Sequence, residues 1–436
     1  MSRWRDVTLA DVAERVDYGF TASASSDLNL PRFLRITDIA RPSLDWSRVP
    51  GCLIDENDFK RYELAADDIV VARTGATVGY AKRIRMHPRA VFASYLVRFR
   101  LRGDVDPRFV GAVVESHAYK RWVQQNAGGA AQPNASAKVL GAFPFSLPDR
   151  PTQARVGAVF DTIDALIENN RRRVEVLEEM ARAIYREWFV KFRYPGYEDV
   201  PLVDSALGPI PVGWEVHPFS AIVEYHIGGG WGTEQEGTGS AEPAYVIRGT
   251  DIPRVAHSDV TTVPFRFHRE SNLRSRKLRH GDIVLEVSGG SKGQPVGRSL
   301  LIRQSLLDAF DAPTMCASFC KLVRVNPAVA EPGIVFLMLQ EAYANGQLDT
   351  FQVQSTGITN FRWKPFLQHF KVPMPPRQQQ KELVQVFDRL GDLAATSGRR
   401  IVVLTQIRDM LLPKLVSGQL DVSLLDLSAL VADRVE

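Results

Sequence analysis

The sequence predicts an α+β protein with internal pseudo-two-fold symmetry, in which two similar globules are joined by two long antiparallel helices forming a coiled-coil spacer. Three observations point there. Apolar residues at Val156, Val159, Phe160, Ile163, Leu166, Ile167, Val174, Leu177, Ala181, Ile184 and Trp188 form one stripe at helical spacing, the pattern of a helix of roughly 40 residues and about 60 Å. The stripe occurs twice, because Pro148, Arg150, Gln153, Val159, Phe160 and Asp161 recur as Pro375, Arg377, Gln380, Val386, Phe387 and Asp388, followed by Leu390, Leu393, Ile401, Leu404, Ile407 and Leu411. The segment ahead of each stripe also repeats, with the same short strands in the same order.

The helix from Pro148 to Phe192 holds a single glycine, Gly157, and its next strong stop is Pro195-Gly196. Neither stripe can be buried by its own helix, and pairing the two in a left-handed seam is the economical solution. The chain then reads as a first globule at 1–147, a first spacer helix at 148–193, a linker at 194–213, a second globule at 214–374, a second spacer helix at 375–416 and a tail at 417–436. Proline and glycine without periodicity mark the linker. Trp188 and Phe189, near one end of the first helix, are expected on an exposed partner surface.

Within the globules, Trp4 with Leu9 to Val16 matches Trp214 with Phe219 to Tyr225. Loops at Gly19 to Asp27 and Gly228 to Ser240 follow, and then the signatures Arg35-Ile36-Thr37-Asp38-Ile39 and Arg248-Gly249-Thr250-Asp251-Ile252. Apolar strands after Asp68 and Asp282 run into glycine turns, Arg73-Thr74-Gly75 and Ser288-Gly289-Gly290. Ala93-Ser94-Tyr95 and Ala317-Ser318-Phe319 open a further strand. A short helix follows in each half, about Pro107 to Asn126 and Glu331 to Asp349, and a polar loop, Gly128 to Ser136 and Ser355 to Phe361, precedes the long helix. Short, mostly antiparallel strands with few helices are the expectation.

With 436 residues, 45% hydrophobic and 24% charged, the chain has an ordinary soluble composition and room for two to three domains. No signal peptide or membrane span is apparent, so the expected location is cytoplasmic. Cys52, Cys316 and Cys320 cannot make a disulfide framework, and the Cys316/Cys320 pair, without nearby histidines, reads as buried thiols. A net charge of +4 permits a nucleic-acid partner without arguing for one.

Catalytic motifs are not written in this sequence. Gly289-Gly290-Ser291-Lys292-Gly293 has the wrong spacing for a phosphate loop, and HExxH does not occur. Asp106-Pro107-Arg108-Phe109 only approaches the tetrapeptide of amino-methyltransferases and reads as a helix start. The duplicated loops do carry donors for phosphates and base edges: Arg35, Arg73, Thr74, Lys82, Arg83 and Asn134 in the first half, and Arg248, Ser288, Ser291, Lys292, Arg298 and Asn360 in the second. Recurrence in both halves is what singles them out as DNA-binding candidates.

The whole chain resembles the specificity subunit of type I restriction-modification systems. The resemblance is carried by Leu147-Pro148 through Gln153, Val159-Phe160-Asp161-Thr162-Ile163-Asp164 and Gly208-Pro209-Ile210-Pro211-Val212-Gly213-Trp214. Met374-Pro375-Pro376-Arg377-Gln378-Gln379-Gln380 and Leu412-Pro413-Lys414-Leu415-Val416-Ser417-Gly418-Gln419-Leu420 complete it. It implies that each globule is a target-recognition domain reading half of a bipartite site in double-stranded DNA, and that the helices form the spacer. It further implies that two methyltransferase subunits dock on those helices, using S-adenosylmethionine on adenine. Restriction subunits with ATP-dependent translocase activity, requiring ATP and Mg2+, join them, while the specificity subunit is non-catalytic and binds no cofactor itself. Differences between the globules outside their shared framework imply an asymmetric site. Two other readings stand beside it: a coiled-coil scaffold whose globules bind proteins, and a self-contained nuclease, which the missing metal-carboxylate motif disfavours.

Overall fold

The computed structural model describes residues 4–41, 43–129, 133–289, 295–355 and 357–420. The chain divides into two compact units, one from residues 1–168 and 403–436, the other from residues 169–402. Both cuts fall inside the long helices, Arg150–Tyr185 and Arg377–Val416, so each unit owns part of both.

In the first unit a four-stranded antiparallel sheet runs Ala13–Tyr18, Leu96–Leu101, Ile69–Ala72, Ala81–Arg83 in spatial order. The run after Asp68 is continuously apolar because both its faces are covered. Ile69 and Val71 join Val97, Phe99, Phe109, Tyr119, Phe160, Leu412 and Leu415 on one side. Val70 and Ala72 join Leu34, Ile39, Phe92 and Leu96 on the other, as the period-two alternation of a strand requires. Asp164 of the first long helix lies 3.4 Å from Arg408 of the second. The expected helix from Pro107 to Asn126 is two helices, Pro107–Val114 and His117–Asn126, since Ser116 caps the second by accepting the Tyr119 N–H.

The second unit repeats the plan. Its sheet runs Val223–Gly228, Cys320–Val325, Ile283–Glu286, Ser299–Leu301. Even an irregularity is shared: the first strand slips register between Ala13 and Arg15 in one sheet and between Val223 and Tyr225 in the other. Parallel pairs also correspond, Arg32–Leu34 with Ala90–Phe92 and Glu242–Ile247 with Thr314–Cys316. Ile283, Leu285, Val323, Phe366, Leu383 and Phe387 share a core with Ala181, Tyr185 and Phe189.

The recurring glutamines explain how each long helix is seated. Gln153 accepts the Asp106 N–H at 2.8 Å and donates to Pro148 O at 2.8 Å. Gln380 accepts the Glu331 N–H at 2.9 Å and donates to Pro375 O at 2.9 Å. Buried amides so satisfied fix the angle at which each helix leaves its strand.

Several expectations change. The first long helix ends in a wider π turn, Arg186–Val190, and Phe189 is buried against Tyr185 and Trp214 rather than exposed. Trp188 is partly buried on the same core, because the aromatic side chains of this turn are used to seat Trp214. The 194–213 linker contains a hairpin of Leu202–Val203 with Ile210–Pro211 and buries Tyr194 and Ile210. All three cysteines are buried; burial pushes the Cys52 thiol up to about 11 and the Cys316 thiol up to about 12. The tail from 421 onward lies outside the described residues. Among the described residues, no helix is long and apolar enough to cross a membrane, and no group of three or more His, Cys, Asp or Glu is arranged to hold a metal ion.

Candidate nucleic-acid interface

One end of each sheet gathers the duplicated loops. In the first unit Ala72 pairs with Leu96, and the next residue, Arg73, donates its N–H to Tyr95 O at 3.0 Å. In the second, Glu286 pairs with Cys320 and Val287 donates to Phe319 O at 2.9 Å. The polar loop then docks on this turn in the same way in both units: the Ala135 N–H donates to Arg73 O and the Phe361 N–H to Val287 O, each at 2.8 Å. Thr74 thereby pairs with Asn134 and Ser288 with Asn360. Tyr95 and Phe319, at matched positions, are 57% and 55% exposed. The turn glycines, Gly75 at φ +67 and Gly289 at φ +132, hold backbone that a side chain would strain.

The first sheet strand ends at the same edge. Gly19 and Gly229 follow it, and a Cβ on either would lie 2.2 or 2.1 Å from a carbonyl oxygen, Ala93 O or Ala317 O. Glycine is what lets the strand end approach its neighbour so closely, and in the first unit the preceding residue, Tyr18, reaches the end of the polar loop, its hydroxyl accepting the Ala137 N–H at 3.0 Å. Tyr18 and Trp231 are both partly exposed, and each carries an arginine over its ring, Arg73 at 5.0 Å and Arg266 at 4.6 Å.

The sequence-derived candidates divide into two groups. Arg73, Thr74, Asn134, Ser288 and Asn360 converge on these edges. There Arg73 Nη2 donates to Asn134 Oδ1 at 3.2 Å, and Ser288 Oγ donates to Asn360 Oδ1 at 2.6 Å. The remaining described cations serve internal carboxylates. Arg35 grips buried Asp38 at 3.0 and 3.1 Å, and Arg248 grips buried Asp251 at 2.8 and 2.7 Å. Each is the paired end of the Arg-x-x-Asp signature that recurs in sequence. Lys82 meets Glu115 at 3.2 Å, Arg298 meets Glu286 at 2.8 and 2.6 Å, and Arg83 bridges Asp67 and Asp161. Burial alone would raise the Glu115 carboxyl, but the charges of Lys82 and Arg85 and the Arg83 N–H hold it below its usual range. The hydrogen bonds to Glu286 and Asp251 likewise raise Arg298 and Arg248. Ser291 and Lys292 lie outside the described residues. Sequence reading missed Tyr18 and Trp231; their one signal was position, beside the glycines that open the first loop of each half.

A solved structure with this architecture is the S subunit of a type I restriction-modification system from M. genitalium, with a TM-score of 0.57 at 12% identity, covering 95% of this chain and 96% of that one. The chain has a type I specificity-subunit fold. The resemblance extends to sequence: it is 23% identical over 311 residues to the type I restriction enzyme MjaIX specificity subunit of Methanocaldococcus jannaschii. That match takes in 69% of this chain and 66% of the relative, just under two thirds of the relative's length. No protein-family model matches the chain. Within the specificity-subunit fold, the matched loop edges are the surfaces whose framework is the same in both units and whose side chains differ.

Proposed function

We propose that the chain is the sequence-reading subunit of a type I restriction-modification complex, with each unit recognising one half of a bipartite, asymmetric DNA site. The observation that carries this reading is the pair of loop edges, built on the same backbone hydrogen bonds yet furnished differently. The first edge presents Tyr18, Arg73, Thr74, Tyr95 and Asn134. The second presents Ser288, Phe319 and Asn360. Arg and Asn can each make two hydrogen bonds to one base edge, and exposed aromatics supply stacking or apolar contact. Cations already paired with carboxylates, such as Arg35, Arg83 and Arg298, maintain the edge rather than touch DNA.

The long helices serve as the antiparallel spacer, and their apolar residues left in solvent, among them Val176, Met180, Leu393 and Met410, as docking surface for two methyltransferase subunits. Restriction subunits join that assembly in the cytoplasm. Chemistry belongs to those partners, which hold S-adenosylmethionine, ATP and Mg2+; this chain selects the site.

Co-expression with the cognate methyltransferase in a methylation-free host, followed by mapping of N6-methyladenine, tests the reading. A split motif with a fixed unread gap is the expected result. A complex that copurifies but methylates no motif would favour the protein-binding scaffold. Inserting four residues, about one turn or 6 Å, into both helices should widen the gap by about two base pairs, taking DNA at roughly 3.4 Å per pair. An unchanged gap would sink the spacer role.

A further inference from the structure

We infer that Arg73 reads a guanine in the first unit's half-site, and that Tyr18 and Asn134 are the residues that position it. The inference rests on the DNA-reading function proposed above and adds the base and the side chain that recognises it. Arg73 differs from the other described candidate cations in having no carboxylate partner among the described residues. Its guanidinium lies over the Tyr18 ring, 5.0 Å from the centroid, and Nη2 donates to the neutral amide oxygen of Asn134 at 3.2 Å. Tyr18 is itself tied down, because its hydroxyl accepts the Ala137 N–H at 3.0 Å. Arg73 Nε is buried and without a hydrogen-bond partner among the described residues, and the side chain as a whole is only partly buried.

A stacked guanidinium bonded to a neutral amide keeps its full charge. It has also given up in advance much of the rotamer freedom that a loose arginine loses on binding. Such a fixed planar fork matches the O6 and N7 acceptors of guanine in the major groove. A phosphate contact, by contrast, asks for charge and little orientation. Among the described residues the second unit has no such fork free of a carboxylate: Val287 makes the Arg73 backbone hydrogen bond, Gly228 ends the strand where Tyr18 does, and Arg266 over Trp231 is held by Glu234 at 2.7 Å. The guanine reader therefore belongs to one half-site only, which gives the asymmetry of the site a physical origin.

The test uses the assembled methyltransferase complex. Its methylation motif is mapped for wild type, Arg73→Ala, Arg73→Lys and Tyr18→Ala, and binding is measured on duplexes carrying 7-deazaguanine, which lacks N7, at each guanine in turn. Wild type should lose roughly tenfold to a hundredfold in affinity at one guanine of the first half-site. Arg73→Ala should bind the unmodified site correspondingly weakly, show no further loss on the modified one, and relax the motif at that base pair alone. Arg73→Lys keeps the charge without the fork and should relax the same position, as should Tyr18→Ala, with the second half-site unchanged throughout. Uniform weakening on all sequences with a shallower salt dependence would assign Arg73 to a phosphate and overturn the inference. An unaltered motif in Arg73→Ala would overturn it too. A wild-type complex with no split motif would instead bring down the DNA-reading function beneath it.

Discussion

The fourth of the five residue pairs across the first two strands of each sheet is filled in opposite ways. In the first unit Asp17 faces Arg98, with Nη2 donating to the carboxylate at 2.6 Å and Nη1 to Glu63 O at 2.7 Å, while the guanidinium lies over Phe92. Arg98 is 1% exposed. In the second unit the same register position pairs Ile227 with Leu322, and both pack into apolar core. A neighbouring ion pair is kept in both: Asp68 takes Arg100 at 2.8 and 2.9 Å, and Asp282 takes Arg324 at 2.8 Å twice. These two aspartates also accept a backbone N–H, from Ala65 and Arg279, at 2.8 Å. What the repeat retains is the carboxylate that closes a turn; what it varies is the filling of a site that dispersion or charge can satisfy.

The largest way to probe that difference is to remove the shared aspartate. Asp68→Ala takes a carboxylate from two arginines, Arg100 and the secondary contact of Arg98 at 3.7 Å, whereas Asp282→Ala takes it from Arg324 alone. Losses of about 4 and about 3 kcal/mol are expected in chemical denaturation of the full chain, the first exceeding the second. Equal losses would mean that Arg98 draws nothing from Asp68.

Exchanging the filling comes next. Asp17→Ile alone leaves Arg98 buried with its main partner gone and should cost about 3 kcal/mol. Adding Arg98→Leu installs the second unit's pair in the first, and the double variant should return to within about 1 kcal/mol of wild type or exceed it, since well-packed apolar residues often replace buried ion pairs without loss. A double variant as unstable as Asp17→Ile would show that the first core has no room for the second's solution.

The helix seats should respond alike in both units. Gln153→Ala and Gln380→Ala each strand a buried N–H and a carbonyl, at about 1 to 3 kcal/mol. Gln380 also donates to Val329 O at 3.0 Å, so its loss should be the larger. A marked difference in the other direction would break the equivalence of the two seats.

These comparisons also show which parts of the fold can be read from residues alone. The long helices were legible because a stripe at helical spacing survives for ten turns, and the strands after Asp68 and Asp282 because both faces are apolar. Convergence of Thr74 with Asn134, and of Ser288 with Asn360, was legible only as recurrence; that the loops touch is a matter of sheet order, which local pattern does not encode. Tyr18 escaped notice since a tyrosine at a strand end is ordinary until a distant arginine is found on its ring. The ion pairing of Arg83 and Arg298 was illegible for the converse reason: their carboxylate partners Asp161 and Glu286 lie 78 and 12 residues away, and a sequence displays the charge without the pair. Phe189 was misplaced because helical spacing gives a residue's face but not what the following turn folds back to cover.

The smallest contrast is in pH dependence. His257 Nε2 lies 3.2 Å from Glu178 of the first long helix, with both side chains more than a third exposed. The hydrogen bond to Glu178 raises the His257 pKa above its ordinary 6.5, with burial acting against it. A raised folded-state pKa means that the native protein holds the proton more tightly than the unfolded chain. The stabilisation is therefore complete below about pH 6.5 and disappears as pH rises through the higher folded value. Solvent screening keeps it to about 0.5 kcal/mol. The first unit's nearest analogue, His117 with Asp409, is longer at 3.7 Å and its imidazole is 76% exposed. The stability advantage of wild type over Glu178→Gln should thus shrink slightly as pH rises from 6 to 8, with His117→Gln as the comparison in the first unit. Burial lowers His226 and His268, which act in the opposite direction in every variant alike. The same shrinkage against His117→Gln instead would place the pH-sensitive contact in the other unit and reverse this last distinction between the two.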